Sequence, residues 1–223
     1  MKVINVAIDG PAGAGKSTIS RAASAELGYI YIDTGAMYRT VALYTIRQKV
    51  DSKCEADVVA LLDEICVDIK HIGDEQHVFL NGEDVSALIR TPEVSVAASN
   101  VAVIPKVRLK LVELQRELAA KNNVIMDGRD IGTYVLPDAN VKIFLTADVE
   151  QRAKRRFDEL CEKGTKCDFE EVLRDMKYRD KNDSEREFAP LKPSEESVIL
   201  DTTHLSLSES IKLVIDTIKN KVN

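Results

Sequence analysis

Short apolar runs alternate along the chain with longer segments whose apolar residues recur at helical spacing. Ile19, Ala23 and Leu27 follow this spacing up to Gly28, and Pro105 suits the first turn of a later helix. The apolar runs, which are typical of buried strands, are VINVAI, YIYID, NVIMD, VKIFLTA and SVILDTT. Strands that alternate with helices favour a parallel sheet covered on both faces. We therefore predict an α/β fold, with a five-stranded parallel sheet between two helical layers.

Two stretches depart from this alternation. Between residues 61 and 92, polar and apolar residues alternate with a period of two, with turn residues at GDE and NG, which predicts a small antiparallel insert. Residues 151–192 carry twelve Lys or Arg against eleven Asp or Glu, so this stretch is densely but evenly charged. We predict that it forms a helical lid over a ligand. The core domain then comprises residues 1–60, 93–150 and 193–223.

Composition narrows the classes of partner. The 223 residues are 44% hydrophobic and 30% charged, which suits one well-packed core rather than a disordered chain. A net charge of −6 disfavours duplex nucleic acid as the main partner. We find no signal peptide or membrane span in the pattern, and the four cysteines are too widely spaced for a zinc pair. We expect a monomeric protein in a reducing cytoplasm, with no membrane partner.

The segment GPAGAGKS, from Gly10 to Ser17, lies between the first predicted strand and helix and matches the pattern G-x-x-x-x-G-K-[ST]. Its glycines let successive N–H groups point inward, and the following helix adds its positive N-terminal end. Lys16 is placed to reach the outer phosphates, and the Ser17 hydroxyl to bind Mg²⁺. The segment predicts a P-loop for ATP and Mg²⁺, formed by Gly10, Pro11, Ala12, Gly13, Ala14, Gly15, Lys16, Ser17 and Thr18.

Two further polar segments follow predicted strands. DTGAMYR, from Asp33 to Arg39, places an arginine where a second phosphate could sit, although a helix start with a surface arginine is the alternative. VIMDGRDIGT contains a strand that ends in Asp127, the expected position of a carboxylate that holds Mg²⁺ or its waters. Arg129 and Asp130 follow directly, and a plain surface turn would not need both.

The P-loop alone does not separate a small-molecule kinase from a GTP switch or an ATP-driven motor. A GTP switch is expected to carry an N-K-x-D element, which this sequence lacks, and 223 residues are few for a motor. Two alternatives stay open at this point. One is a kinase for another nucleoside monophosphate or small acceptor, and the other is a nucleotide-dependent binding switch.

Five motifs together resemble those of the bacterial cytidylate kinases, a family of P-loop nucleoside monophosphate kinases. They are DGPAGAGKST, DTGAMYR, RTPEVSVAAS, DGRDIGT and YRDKNDSEREFAPL, in the family's order over nearly the whole chain. Adenylate kinases read roughly STGDMLR and DGFPR at the corresponding elements, which this sequence lacks. The resemblance implies a P-loop NTPase fold and ATP-dependent phosphorylation of CMP and dCMP, without a covalent enzyme intermediate.

The resemblance also implies roles for individual residues on the substrate side. The residues that match the family's cytosine-binding positions are Ser99, Arg108 and Asp130. Those that match its acceptor-phosphate positions are Arg39, Arg129 and Arg186, and those near the ribose are Arg179 and Asp183. Asp33 joins the substrate side as the first residue of its motif. Lys16, Asp127, Arg129 and Arg186 are the implied catalytic residues.

The chemistry of cytosine agrees with the implied base contacts. Its N4 amino group is a donor that Asp130 can accept, and its N3 and O2 atoms are acceptors for Arg108. Uracil reverses this pattern and would leave both side chains facing mismatched groups, a discrimination of about a hundredfold or more. Arg152, Arg155 and Arg156, on one predicted helix, are candidates to reach the triphosphate, and solvated helix surface is the alternative for each.

Overall fold

Two sheets organise the protein in the computed structural model, which describes residues 3–73, 75–162 and 164–222. The strands are β1 (Asn5–Asp9), β2 (Ile30–Asp33), β3 (Val67–Ile72), β4 (Glu75–Leu80), β5 (Glu83–Asp84), β6 (Val124–Gly128), β7 (Val141–Thr146) and β8 (Val198–Asp201). The larger sheet has the order β2–β6–β1–β7–β8, and all its strands are parallel. The predicted five-stranded parallel sheet is therefore confirmed.

The helices begin and end at local signals in the sequence. They are α1 (Lys16–Leu27), α2 (Thr34–Arg47), α3 (Glu55–Ala60), α4 (Pro92–Val101), α5 (Pro105–Lys121), α6 (Val149–Glu162), α7 (Phe169–Glu185) and α8 (Leu207–Val222). Helix α1 ends at Gly28, whose left-handed φ of 68° costs a glycine little. Helix α2 begins after Asp33, whose carboxylate accepts from the Ala36 N–H at 2.9 Å. Helices α4 and α5 each begin with a proline, at a position where an N–H group would have no partner within the helix, so proline loses no hydrogen bond there.

Two hydrophobic clusters pack on opposite faces of the parallel sheet. Val6 and Ile8 of β1 pack with Val214 of α8 in one cluster, which also includes residues of α1. Ala7, which points to the other face, packs in a second cluster with residues of α2, α4 and α5. Helices thus cover both faces of the sheet, as the sequence predicts.

The antiparallel sheet β3–β4–β5 lies within the predicted insert, residues 61–92, and confirms it. The turn between β4 and β5 is Asn81–Gly82, with φ values of 51° and 88°, as a two-residue hairpin requires. The predicted GDE turn falls partly on Asp74, which lies outside the described residues. Ile69 and Val78 of this sheet belong to the same cluster as α2 and α5. The insert therefore shares its core with the parent domain, and the division of the chain into three parts stays a prediction.

Helices α6 and α7 form a separate layer next to the P-loop. Ala153, Leu173 and Met176 make a small cluster of their own between the two helices. A Cβ added at Gly13 of the loop would lie 2.8 Å from the Met176 Cε atom, so this layer contacts the loop directly. Among the helices in the described part of the chain, none is both long and apolar enough to cross a membrane.

Candidate functional site

The P-loop owes its shape to glycines in conformations that other residues avoid. Gly10, Gly13 and Gly15 have φ values of 151°, 73° and 84°. At Gly10 the space is also closed, because a Cβ would lie 1.9 Å from the carbonyl oxygen of Leu145 in β7. The loop therefore passes directly against the end of a strand and leads into α1, whose first N–H groups have no partner within the helix and are available to bind an anion.

Lys16 is held inside the loop rather than extended into solvent. Its side chain is buried, and Nζ donates to the carbonyl oxygen of Pro11 at 2.7 Å. Burial, together with the nearby positive charge of Arg129, lowers the pKa of Lys16 to about 7. A phosphate anion would raise this pKa and give the ammonium group a stronger partner.

Ser17 and Asp127 form an oxygen pair beside the loop. The Ser17 hydroxyl donates to Asp127 Oδ2 at 2.8 Å, and the Tyr31 hydroxyl donates to Oδ1 at 3.1 Å. Burial, with the neighbouring charge of Asp33, raises the pKa of Asp127 to about 6. A bound cation would favour the ionised carboxylate, so the donor chemistry fits Mg²⁺. Since the described residues include no group of three or more acidic, His or Cys side chains that could hold a metal ion by themselves, such an ion would rely on phosphate and water for its other ligands.

Asp9, the residue before the P-loop, connects the loop to the segment that carries Asp130. Its two carboxylate oxygens accept from the N–H groups of Ile131 and Gly132, each at 2.7 Å. Burial raises the pKa of Asp9 to about 7, although these two bonds oppose the shift. The turn that follows is wide, because the Val135 N–H reaches back to the Asp130 carbonyl at 3.1 Å. Asp9 thus fixes where the chain leaves β6.

Several arginines surround the space beyond the loop, and most of them are paired with carboxylates. Arg39 Nη2 lies 2.8 Å from Asp33 Oδ2, and Arg129 Nε lies 2.6 Å from Asp183 Oδ2. For Arg179, burial and then the charge of Arg129 lower the pKa to about 10, and its Nε has no hydrogen-bond partner among the described residues. An arriving phosphate would relieve this concentration of positive charge.

A buried charge cluster is formed by Arg108, Asp130 and Arg186. Asp130 accepts from Arg108 Nη2 and, through its other oxygen, from Arg186 Nη2 at 3.2 Å. Only 1% of Arg108 is exposed, and the rings of Tyr38 and Phe188 lie 5.4 and 5.9 Å from its guanidinium carbon. Such burial is costly for unpaired charges, and here both guanidinium groups share the Asp130 carboxylate as their partner.

One cavity of about 730 Å³ joins the loop, the arginines and the buried charge cluster. Gly10 and Pro11 form the loop without lining the cavity. The other predicted site residues line it, namely 12–18 of the loop with Asp33, Arg39, Ser99, Arg108, Asp127, Arg129, Asp130, Arg179, Asp183 and Arg186. The tertiary structure therefore brings together residues that lie far apart in sequence.

Of the three arginines predicted on one helix, Arg155 and Arg156 line the cavity and Arg152 does not. Arg152 is buried behind the loop, where its guanidinium donates to the Ala12 carbonyl at 2.7 Å and to Asp180 Oδ2 at 2.6 Å. Residues three and four apart lie on one face of a helix, so the spacing alone does not separate these arginines. The hydrogen bonds of Arg152 to Ala12 and Asp180 hold it behind the loop instead. Arg152 supports the loop from outside the cavity.

Comparison with known proteins gives a family for the whole chain. The family model described as cytidylate kinase matches residues 6–220. A cytidylate kinase of Caldicellulosiruptor bescii is 51% identical over 226 aligned residues, which cover 100% of both chains. A cytidylate kinase of Lactobacillus johnsonii is 49% identical, with 98% of this chain and 95% of that protein covered. The chain belongs to the cytidylate kinase family.

Solved structures with distant sequences share the fold of this cytidylate kinase family member. A gluconokinase from Sinorhizobium meliloti superposes with a TM-score of 0.52 at 10% identity, covering 97% of this chain and 92% of that chain. An uncharacterized protein from Eubacterium ventriosum gives a TM-score of 0.52 at 14% identity, covering 98% and 99%. At such identities the likeness concerns the fold alone, and it agrees with the predicted P-loop architecture.

The cavity of this family member also has lining residues that the sequence interpretation missed, among them Arg90 and Gln115. One signal for Gln115 was available. It lies between Leu111 and Ala119 on the buried line of α5, where an apolar residue is the ordinary occupant. Asp9 had no comparable signal, since nothing local predicts that its carboxylate meets a turn more than a hundred residues away.

Proposed function

We propose that this protein transfers the γ-phosphoryl group of ATP to CMP and dCMP, forming ADP with CDP or dCDP. Membership of the cytidylate kinase family makes it a nucleoside monophosphate kinase, that is, a phosphotransferase. The observation that carries the proposal is the single cavity that contains both a P-loop and the buried charge cluster. A triphosphate and a base with a donor and an acceptor edge are the ligands that these two parts suit.

The reaction needs positioning and charge neutralisation rather than a covalent intermediate. An oxygen of the acceptor phosphate attacks the γ-phosphorus in line, a new P–O bond forms, and the bond to the β-phosphate oxygen breaks. The acceptor phosphate is already an anion, so no strong general base is required. Lys16, Arg129 and Arg186 would neutralise the charge that spreads over the transferred group.

Mg²⁺ belongs to the proposal through two residues. Ser17 and Asp127 would hold the ion, directly or through its waters, since a hydroxyl and a carboxylate lie together beside the loop. A Mg²⁺ ion held there would supply neutralisation of the negative charge on the phosphates. The raised pKa of Asp127 supports this role, because a carboxylate that is costly to ionise in a buried place gains most from a cation.

The buried charge cluster would select cytosine over uracil. Asp130 can accept from the N4 amino group, while Arg108 can donate to the acceptor edge of the base. Ser99, whose hydroxyl lies 3.4 Å from Asn182 Nδ2, would complete the base site. Arg39, Arg129 and Arg186 would bind the acceptor phosphate, Asp33 would hold Arg39 in place, and Arg179 and Asp183 would contact the ribose.

The proposal also includes the setting of the enzyme. It acts as a monomer in the cytoplasm, without nucleic acid or membrane; of these points, the net charge of −6 supports the lack of a nucleic-acid partner. Helices α6 and α7 would close over the nucleotide and keep water from competing with the acceptor phosphate. Arg155 and Arg156, which line the cavity, would approach the triphosphate on closure.

A panel of acceptors assayed by ADP release tests the proposed function. We expect CMP and dCMP to stimulate ADP release strongly, with UMP about a hundredfold or more less efficient and with ATP alone nearly inert. Stimulation by a different monophosphate or metabolite would indicate another small-molecule kinase. Slow hydrolysis of ATP or GTP that no acceptor stimulates would indicate a nucleotide-dependent switch.

A further inference from the structure

A glutamine in the cavity wall has no partner for either of its polar atoms. Gln115 lies in α5, is 1% exposed and contributes to the cavity lining. Both Oε1 and Nε2 lack a hydrogen-bond partner among the described residues. Beside it lies the buried Tyr38 hydroxyl, whose pKa burial raises to about 12 while the neighbouring Gln115 amide opposes that shift, so the only hydrogen-bonding neighbour that either group has among the described residues is the other. The cavity wall therefore contains two neutral polar groups that the rest of the protein leaves unsatisfied.

Packing alone does not account for an amide at this position. Gln115 follows Leu111 and precedes Ala119 on the buried line of α5, where a leucine would bury its surface without losing any hydrogen bond to water. Buried amides almost always have partners, because an unmade hydrogen bond is costly in a low-dielectric interior. A polar side chain that lines a cavity and has no protein partner is suited to a ligand that enters the cavity.

The charge of the surrounding residues indicates which part of the ligand Gln115 meets. The phosphates of a nucleotide have cationic partners available at Lys16 and the arginines, and a neutral amide adds little to those contacts. Gln115 lies seven residues after Arg108, two turns along the same helix, so both side chains project to the same side of α5. Arg108 belongs to the buried charge cluster, which is the proposed base site.

A carboxamide offers a donor and an acceptor side by side, and so does the polar edge of a pyrimidine. We propose that Gln115, with the Tyr38 hydroxyl beside it, is a further substrate-binding residue that hydrogen-bonds the acceptor base. This inference rests on the proposed function, since it assigns a contact within the same acceptor site. It adds a neutral pair to the charged residues that face the base.

The test compares a whole acceptor with a fragment that lacks the base. In Gln115→Leu we expect the KM for CMP to rise about fivefold to tenfold, with the KM for ATP unchanged. Ribose 5-phosphate, used as a competitive inhibitor against CMP, should keep its parental inhibition constant because it has no base to lose a bond. Without ligand, the melting temperature of Gln115→Leu should be no lower than that of the parent, because the variant no longer buries an amide that lacks hydrogen-bond partners. Tyr38→Phe should show the same pattern more weakly.

Control variants separate this contact from a structural role. Gln151→Leu removes an exposed glutamine from α6 and should leave every constant unchanged. Should Gln115→Leu not fold, Gln115→Met repeats the test with an unbranched apolar side chain. Equal weakening of CMP and ribose 5-phosphate, or parental affinity for both, would overturn the inference while the parent still phosphorylates CMP. A parent that neither binds nor phosphorylates CMP would overturn the proposed function as well.

Discussion

The two halves of the cavity are built by different means. The donor half is built on one continuous segment, residues 10–17, which offers main-chain N–H groups and the charge of Lys16, while Asp127, Arg155 and Arg156 line the cavity beside it. The acceptor half consists of charged side chains from α2, α5, α7 and the end of β6. In the donor half, glycine conformations determine the geometry, whereas in the acceptor half ion pairs such as Arg129 with Asp183 determine it.

This difference separates general from specific recognition. Main-chain N–H groups recognise the charge and shape that all triphosphates share, and they need no side-chain order before the ligand arrives. The buried charge cluster holds its donors and acceptors in fixed places. If it binds the base as proposed, a base with the wrong pattern of donors and acceptors could not satisfy it, and this selectivity would offset the solvation lost by burying three charged groups.

The largest expected effect comes from a substitution in the donor half alone. Lys16→Ala should lower kcat on the order of a hundredfold to a thousandfold, because the charge nearest the transferred group is lost. CMP binding should stay close to parental, since the acceptor half is built from other segments. Steady-state kinetics with CMP titration by calorimetry measures both, and Lys121→Ala, an exposed lysine of α5, is the control. A variant with near-parental turnover would remove Lys16 from the mechanism.

The next largest effect comes from a substitution in the acceptor half alone. Asp130→Asn should reduce the preference for CMP over UMP on the order of a hundredfold, because an amide can donate to uracil O4. The KM for ATP should change little. Measuring kcat/KM for both monophosphates decides the matter, with the exposed Asp138→Asn as a matched control. An unchanged ratio would mean that the base is recognised elsewhere.

A smaller effect sharpens the comparison within the acceptor half. Asp183→Ala should lower kcat/KM for CMP about tenfold and for dCMP less, because dCMP has no 2′-hydroxyl to lose a contact. Asp183 also accepts from Arg129 at 2.6 Å, so part of the loss would be common to both substrates. The ratio of the two losses separates these contributions. Equal losses would indicate that Asp183 acts only by holding Arg129.

The smallest expected effect is the number of protons that the protein takes up when ATP binds to the donor half. With its pKa lowered to about 7, Lys16 is mostly neutral at pH 8, and the charge of a bound triphosphate raises that pKa. ATP binding at pH 8 should therefore take up about one proton, and at pH 6 much less, because Lys16 is then already protonated. Calorimetry in two buffers of different ionisation enthalpy measures the uptake. The same uptake in Lys16→Ala would contradict this origin.

The same pKa shifts make the free energy of unfolding depend on pH, and the sign of this dependence differs between Asp9 and Lys16. The pKa of Asp9 is raised to about 7 in the folded protein, so its contribution to stability falls as pH rises from about 4 to 7. The pKa of Lys16 is lowered to about 7, so its contribution rises from pH 7 toward 10. The unliganded protein is therefore least favoured by these two groups near pH 7.

Much of the fold and of the donor half could be predicted because the signals are local. The strand runs, the stop at Gly28 and the hairpin turn at Asn81–Gly82 each depend on a few neighbouring residues, and each prediction is confirmed. The acceptor half was different. Arg108 alone resembled an ordinary surface charge, and only the resemblance to a family raised it to a site residue. In the structure it is 1% exposed and paired with Asp130.

Helical periodicity left two features of the site undecided. It placed Arg152, Arg155 and Arg156 on one helix but could not say which of them faces the cavity, since that depends on the position of the P-loop beside α6. The same periodicity contains a signal for Gln115, a polar residue on a buried line, which the sequence analysis did not use and which does not say what lies opposite. Both questions are answered by neighbours that are distant in sequence.

The sequence by itself determined a loop that curls around phosphate, because the φ preferences of glycine and the start of a helix act within eight residues. It determined the parallel sheet for the same reason, since strand and helix periodicities are local. Only the tertiary structure decided that Asp9 fixes the turn after Asp130, that Arg152 lies behind the loop and that Gln115 has no partner. Those facts depend on which side chains meet after the sheet is assembled, and hydrogen bonds and ion pairs act only over the few ångströms that separate them then.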